Sequence, residues 1–198
     1  MVGVAWVFES KNSPKQIEAV LEQFGAENIC YYNVDCVPYN PSEGVQGSLQ
    51  GCFLLHHSYC PESSFIQCGP IDASKRTAAT SDRGFDLILS KLSKGLTPDL
   101  PGKFEVTGNE YKLQDFHIRV GSTVMNAVSK GVIVEIEYAA TSLPNQACPL
   151  IGEAAQEFFR EQQIEKPSVF NKQIPEYTMA DTMEQYLHVF QDMRKKAT

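Results

Sequence analysis

Residues 111–138 (YKLQDFHIRVGSTVMNAVSKGVIVEIEY) read as two long strands joined by a connection, with alternating faces over 116–120 and 132–138. Phe116, Ile118 and Val120 point one way, and His117 and Arg119 the other. Val132, Val134, Ile136 and Tyr138 share a face, with Glu135 and Glu137 on the opposite one. A period of two with many β-branched residues predicts two antiparallel strands with one buried face. The other faces complement each other in charge. Arg119 and His117 are expected across from Glu135 and Glu137, each such pair contributing about 0.2–1 kcal/mol. The segment between them, 122–130, reads as a connection.

The remaining chain extends this sheet. Val2 to Phe8 predicts a strand carrying Trp6, half buried. Ser13, Pro14 and Gln16 form a capping box ahead of the stripe Ile17, Val20, Leu21 and Phe24, and Gly25 ends that helix. Strands are expected over 29–37, 49–58, 64–68 and 71–74, with a loop over 38–47 and a polar, exposed stretch over 76–81. A helix follows from Ser81 or Asp82, burying Phe85, Ile88, Leu89 and Leu92, and 97–103 reads as a linker. Phe104 to Thr107 predicts another strand, turning at Gly108-Asn109. After a loop with Pro144 and Pro149, a helix is marked by Leu150, Ile151, Ala154, Ala155, Phe158 and Phe159. Residues 164–177 read as irregular. The last helix is expected from Asp181 with Glu184 as its capping partner. Its stripe is Met183, Tyr186, Leu187 and Phe190, and Arg194, Lys195 and Lys196 close it.

Short connections and roughly eight strands predict an α+β fold. It is expected to be a single domain over 1–198, mostly antiparallel, closing into a β-barrel with flanking helices.

A net charge of −7 argues against a basic footprint for nucleic acid. No run of about 18 apolar residues suggests a membrane span. The N-terminal MVGVAWVFES lacks a basic region and a cleavage site, so the chain is read as intracellular and its six cysteines as reduced and mostly core.

Three constellations could carry chemistry. Glu135-x-Glu137 places two carboxylates on one strand face about 7 Å apart, a spacing that can hold a divalent cation. Tunnel-shaped metal-dependent triphosphatases use such pairs. They need a second carboxylate strand, whereas Glu9 and Asp35 stand alone. The better reading is a charged face paired with Arg119. His56 and His57 lie near Cys52, Cys60 and Cys68, but these cysteines are spaced too widely for a zinc site and adjacent histidines on a strand face apart. Cys148, ahead of Pro149 and a helix, could have a lowered thiol pKa, but no base is in view. No metal, cofactor or catalytic residue is assigned. The apolar residues Val124, Met125, Ala127 and Val128 of the connection return to the core or meet a partner, and Met193 poses the same choice.

The segments YNVDCVPY (32–39), SDRGFDLILSKL (81–92), YKLQDFHIRVGSTVMNAVSKGVIVEIEYA (111–139) and DTMEQYLHVF (181–190) together resemble the Mediator complex subunit 20 family, the TATA-related-factor-proximal proteins. The resemblance implies a β-barrel with helices and no catalytic or metal residues. It implies a nuclear, non-enzymatic coactivator subunit linking regulators to RNA polymerase II. Its expected partners are Mediator subunit 18, in a heterodimer, and subunit 8, which tethers the pair to the head module. Val124, Met125 and Val128 are the expected partner surface. The alternative is a divergent triphosphatase using Glu135 and Glu137.

Overall fold

The computed structural model describes residues 2–42, 51–69, 77–91 and 95–196. Along the chain run β1 (Val4–Ser10), α1 (Pro14–Gln23), β2 (Glu27–Pro41), β3 (Cys52–His57), β4 (Ser63–Cys68), β5 (Thr77–Asp82) and α2 (Gly84–Lys91). There follow β6 (Leu96–Pro98), β7 (Phe104–Leu113), β8 (Phe116–Met125), β9 (Val128–Tyr138), α3 (Pro144–Phe158), a 3₁₀ turn (Ser168–Asn171) and α4 (Met179–Lys195). The expected strand over 71–74 and the contribution of Leu92 fall outside the described residues.

The chain groups into two compact units. The first comprises Met1–Tyr32, Val106–Thr123 and Ser129–Thr198, and the second Asn33–Glu105 and Val124–Val128.

In the first unit the strands lie in the order β1-β9-β8-β7-β2. β1 pairs antiparallel with β9, Val4 opposite Tyr138 and Val7 opposite Glu135. One sheet face is apolar, as the alternation predicts. Val4, Trp6, Ile118, Val120, Val134 and Ile136 pack there with Ile17 and Leu21 of α1 and Ile151, Ala155 and Phe158 of α3. Trp6 is fully in this core, deeper than the sequence suggests. The α1 capping box forms between Ser13 and Gln16, and Gly25 ends the helix at φ +82°.

Several boundaries differ from the sequence reading. β7 runs straight through Gly108-Asn109 instead of turning there. A Cβ on Gly108 would lie 1.9 Å from the Val120 carbonyl oxygen, so this glycine serves close strand approach and the turn falls later, at Gln114-Asp115. α3 begins at Pro144, whose missing N–H costs nothing at the first helical position, and it runs through Pro149. α4 starts one turn earlier than expected: Thr178 caps it and Asp181, not Glu184, completes the box. Met193 is buried in this unit and settles as core.

In the second unit the order is β2-β3-β4-β5, with β6 against β2. β2 runs to Pro41, so residues 38–41 are strand and not loop, and the expected linker supplies β6. Tyr39, Cys52, Leu54, Ile66 and Leu89 form the core of this unit. Ile88, expected inside, is exposed because α2 is a short helix whose inward side is carried by Leu89 and Phe85. Thr77–Asp82, read as an exposed polar stretch, is exposed and is also a strand.

The expected connection 122–130 is mostly strand. The turn is only Asn126-Ala127, both at positive φ (50° and 61°), as a two-residue hairpin turn requires.

The fold is therefore α+β with an antiparallel sheet and flanking helices. The expected barrel closure is not met. Among the described residues the strand order has two ends, β1 and β5, because pairing runs stepwise from one to the other and no ladder joins them.

Candidate functional site: a buried arginine–carboxylate cluster

The second face of the first unit's sheet carries the charges picked out by alternation. It is not solvated: α4 lies over it. Arg119 and Glu135 are each 1 % exposed, and Glu137 and Glu110 are also buried. Alternation shows which side chains share a face, but not whether another element covers it.

Arg119 is the hub. Its Nε donates to Glu110 Oε2 at 2.9 Å and its Nη2 to Glu110 Oε1 at 3.3 Å. Nη1 donates to Glu137 Oε2 at 2.8 Å and to Glu135 Oε1. The pairing of Arg119 with Glu135 and Glu137 is as the sequence predicts. Glu110 was missed because Gly108-Asn109 reads as a turn, which hides the register of β7 with β8.

Each remaining carboxylate oxygen also has a donor. Tyr186 on α4 gives its hydroxyl to Glu135 Oε2 at 2.7 Å. The Gly3 backbone N–H donates to Glu137 Oε1 at 2.9 Å. His117 Nδ1 lies 2.6 Å from Glu110 Oε1. His117 thus pairs with Glu110, not with a β9 glutamate. All six oxygens of the three carboxylates are engaged by the protein itself.

Electrostatics follow from this geometry. Burial works against the Glu110 carboxylate, but Arg119 and His117 outweigh it and hold its pKa below the usual value. Burial likewise opposes charge on Arg119, and Glu135, Glu137 and Glu110 more than compensate, so it remains cationic. Burial and then the Glu135 charge push the Tyr186 hydroxyl well up, so it stays a neutral donor. Tyr32, beside it, is shifted up for the same two reasons. Tyr32 fits against Gly121: a Cβ there would lie 2.6 Å from the Tyr32 hydroxyl oxygen.

A lowered folded-state pKa at Glu110 stabilises the fold above the unfolded value of 4.5, and that stabilisation is lost as pH falls through the folded value. Stability measured by urea unfolding is therefore expected to drop as pH is lowered from about 4.5. The Glu110→Gln chain should show a shallower drop over the same range. Equal slopes would contradict the assignment.

Chemically, this arrangement is a closed ion cluster. A divalent cation would have to displace a guanidinium held by three carboxylates. The triphosphatase reading of Glu135 and Glu137 is not favoured, because their oxygens are committed to Arg119, Tyr186 and Gly3.

The other sequence candidates are not members of this cluster. Cys148 sits inside α3 and not ahead of it, and burial raises its thiol pKa, so the expected lowering at a helix start does not occur. In the second unit His56 contacts Asp35 at 2.7 Å and Asp86 at 3.2 Å, and His57 Nδ1 accepts the Tyr59 N–H at 3.0 Å. Burial and then Cys68 push the Cys52 thiol up to about 12. No disulfide joins any of the six cysteines. Val124 and Met125 end β8 half buried, and Val128 opens β9 at 56 % exposure.

Comparison of the sequence with known proteins points to one family. The family model described as TATA-binding related factor (TRF) of subunit 20 of Mediator complex matches residues 1–191. Mediator of RNA polymerase II transcription subunit 20 of Caenorhabditis briggsae is 39 % identical, over 98 % of this chain and 100 % of the relative. The human protein of that name is 30 % identical, over 96 % of this chain and 91 % of the relative. A chain in the structure of the Schizosaccharomyces pombe Mediator head module is similar at 12 % identity and TM-score 0.43, covering 81 % of this chain and 94 % of that one. The sequence matches span nearly the whole chain and carry the assignment. The chain belongs to the Mediator complex subunit 20 family.

Proposed function

We propose that this chain is a non-enzymatic subunit of the Mediator head module, acting in the nucleus as a protein–protein scaffold between regulators and RNA polymerase II. The family match over residues 1–191 carries this reading. The buried cluster supports it, because the carboxylate pair Glu135 and Glu137 is spent internally on Arg119, Tyr186 and Gly3. The whole of 1–198 acts as one functional domain. It pairs with Mediator subunit 18 and is tethered through subunit 8, without direct contact to nucleic acid or membrane. Its net charge of −7 suits such a role.

Val124, Met125 and Val128 form part of the partner surface. Their support is the exposed apolar Val128 beside a tight two-residue turn, where polar side chains are the usual choice.

Co-expression with Mediator subunit 18 tests the pairing, the expected product being a stable binary complex. In that assay Met125→Asp is expected to weaken capture at least tenfold while the isolated chain keeps its melting temperature within a few degrees. Unfolding of the isolated variant would return Met125 to the core. Undiminished capture would remove the hairpin tip from the interface.

A further inference from the structure

The β3–β4 ladder sets two cysteines face to face. Cys52 opens β3 and Cys68 ends β4, and the register places them directly opposite each other. The kind of pair they form follows from the neighbouring backbone bonds. One step beyond them the Gly69 N–H donates to Gly51 O at 3.4 Å, so the two glycines form a hydrogen-bonded pair. On the other side of β3 the Ser58 N–H donates to Asn33 O at 3.0 Å, and alternation from there turns the backbone groups of Cys52 toward Tyr39 of β2. Both bonds make Cys52 and Cys68 a non-hydrogen-bonded pair. In such pairs the Cα atoms approach to about 4.5 Å and the side chains are closest. That spacing lies inside the roughly 4.4–6.8 Å that a disulfide spans.

The side chains agree with the backbone. The two thiols are hydrogen-bonded to each other. Both lie on the face that packs with Tyr39, Leu54, Ile66 and Leu89. Their exposure differs: Cys52 is 3 % exposed, whereas Cys68, at the strand end, is half-buried. Burial and then Cys68 push the Cys52 thiol up to about 12, so Cys52 stays protonated and does not begin an exchange. Cys68 is the sulfur that a reagent from solvent meets first.

We propose that Cys52 and Cys68 are a reversible dithiol–disulfide pair, oxidised by a low-molecular-weight disulfide such as oxidised glutathione. The Cys68 sulfur gives up its proton and attacks one sulfur of the small disulfide. That S–S bond breaks, and the departing small thiolate takes up the proton. The Cys52 sulfur then attacks the Cys68 sulfur of the mixed disulfide. The mixed S–S bond breaks, and the second small thiol leaves with the Cys52 proton. Two protein thiols are oxidised to one disulfide, and one small disulfide is reduced to two thiols. The product ties the start of β3 to the end of β4, and the exposure of Cys68 leaves it open to reduction by the reverse route. In a reducing compartment a bond of this kind is transient and senses the redox state.

The reduced full chain tests this under native conditions. It is incubated with oxidised glutathione, its remaining thiols are alkylated, and it is digested without reductant for mass spectrometry. Linked peptides holding Cys52 and Cys68 are expected, about tenfold above any other linkage, and treatment with dithiothreitol should abolish them. Cys60 is nearer in sequence to each of the two than they are to each other, so the expected linkage reports the ladder and not proximity along the chain. The Cys52→Ala chain should stop at the mixed disulfide and keep glutathione on Cys68. In the Cys68→Ala chain Cys52 should react about tenfold more slowly than Cys68 does in the unaltered chain. Circular dichroism verifies that both variants are folded, and the unaltered chain decides by itself. Six cysteines that all remain open to alkylation would overturn the proposal. So would a glutathione adduct that stays on Cys68 of the unaltered chain, or linkages that run mainly through Cys60.

Discussion

Arg119→Ala is expected to cost about 3–5 kcal/mol, a large part of an ordinary chain's stability. The change leaves Glu110, Glu135 and Glu137 buried without their shared cation. Arg119→Lys should recover only a fraction of this, since an ammonium cannot reach three carboxylates with the planar fork that Nε, Nη1 and Nη2 provide. Chemical unfolding followed by circular dichroism checks both values. A loss below about 1 kcal/mol for Arg119→Ala would mean that water reaches the cluster, as at a surface ion pair.

Gln185→Ala is expected to cost roughly 3 kcal/mol, by stranding several buried polar groups at once. The amide serves the Val7 N–H, the Ala5 carbonyl and, at 2.6 Å, the Tyr177 hydroxyl. All of these lie where α4 meets β1. Gln185→Glu keeps the acceptor for Val7 but loses the donor to Ala5 and buries a charge, so it should be no better than alanine. Thermal unfolding measures the loss. Hydrogen exchange should show the Val7 amide opening far more readily in either variant, and an unchanged Val7 amide would contradict the proposed cap.

Much of the first unit could be read from residue order. The alternation in 111–138 specified both strands and the pairing of Arg119 with Glu135 and Glu137, though not that of His117, and the box at Ser13 and the stripe at Met183, Tyr186, Leu187 and Phe190 specified their helices. What could not be read has physical causes. A period of two sorts side chains between faces, but only tertiary packing decides that α4 covers the Arg119 face. Gly108 signals a turn locally, whereas here it permits strand contact. Asn126-Ala127 lacks the glycine that usually marks a two-residue turn, so residue order alone ends both strands short of it. Among the described residues no ladder joins β1 to β5, since strand number permits closure without requiring it. Gln185 carried no signal at all, since an edge-capping glutamine looks like any polar helix residue.

The central claim is that the buried charged face holds the fold while the chain works by binding. Glu135→Gln tests it most directly, as it keeps the size of the side chain and removes one charge from the cluster. The measurement is capture of Mediator subunit 18 per folded molecule, with the folded fraction read from circular dichroism in the same sample. Capture per folded molecule is predicted to equal that of the unaltered chain within twofold. A fully folded Glu135→Gln chain that no longer captures its partner would contradict the account.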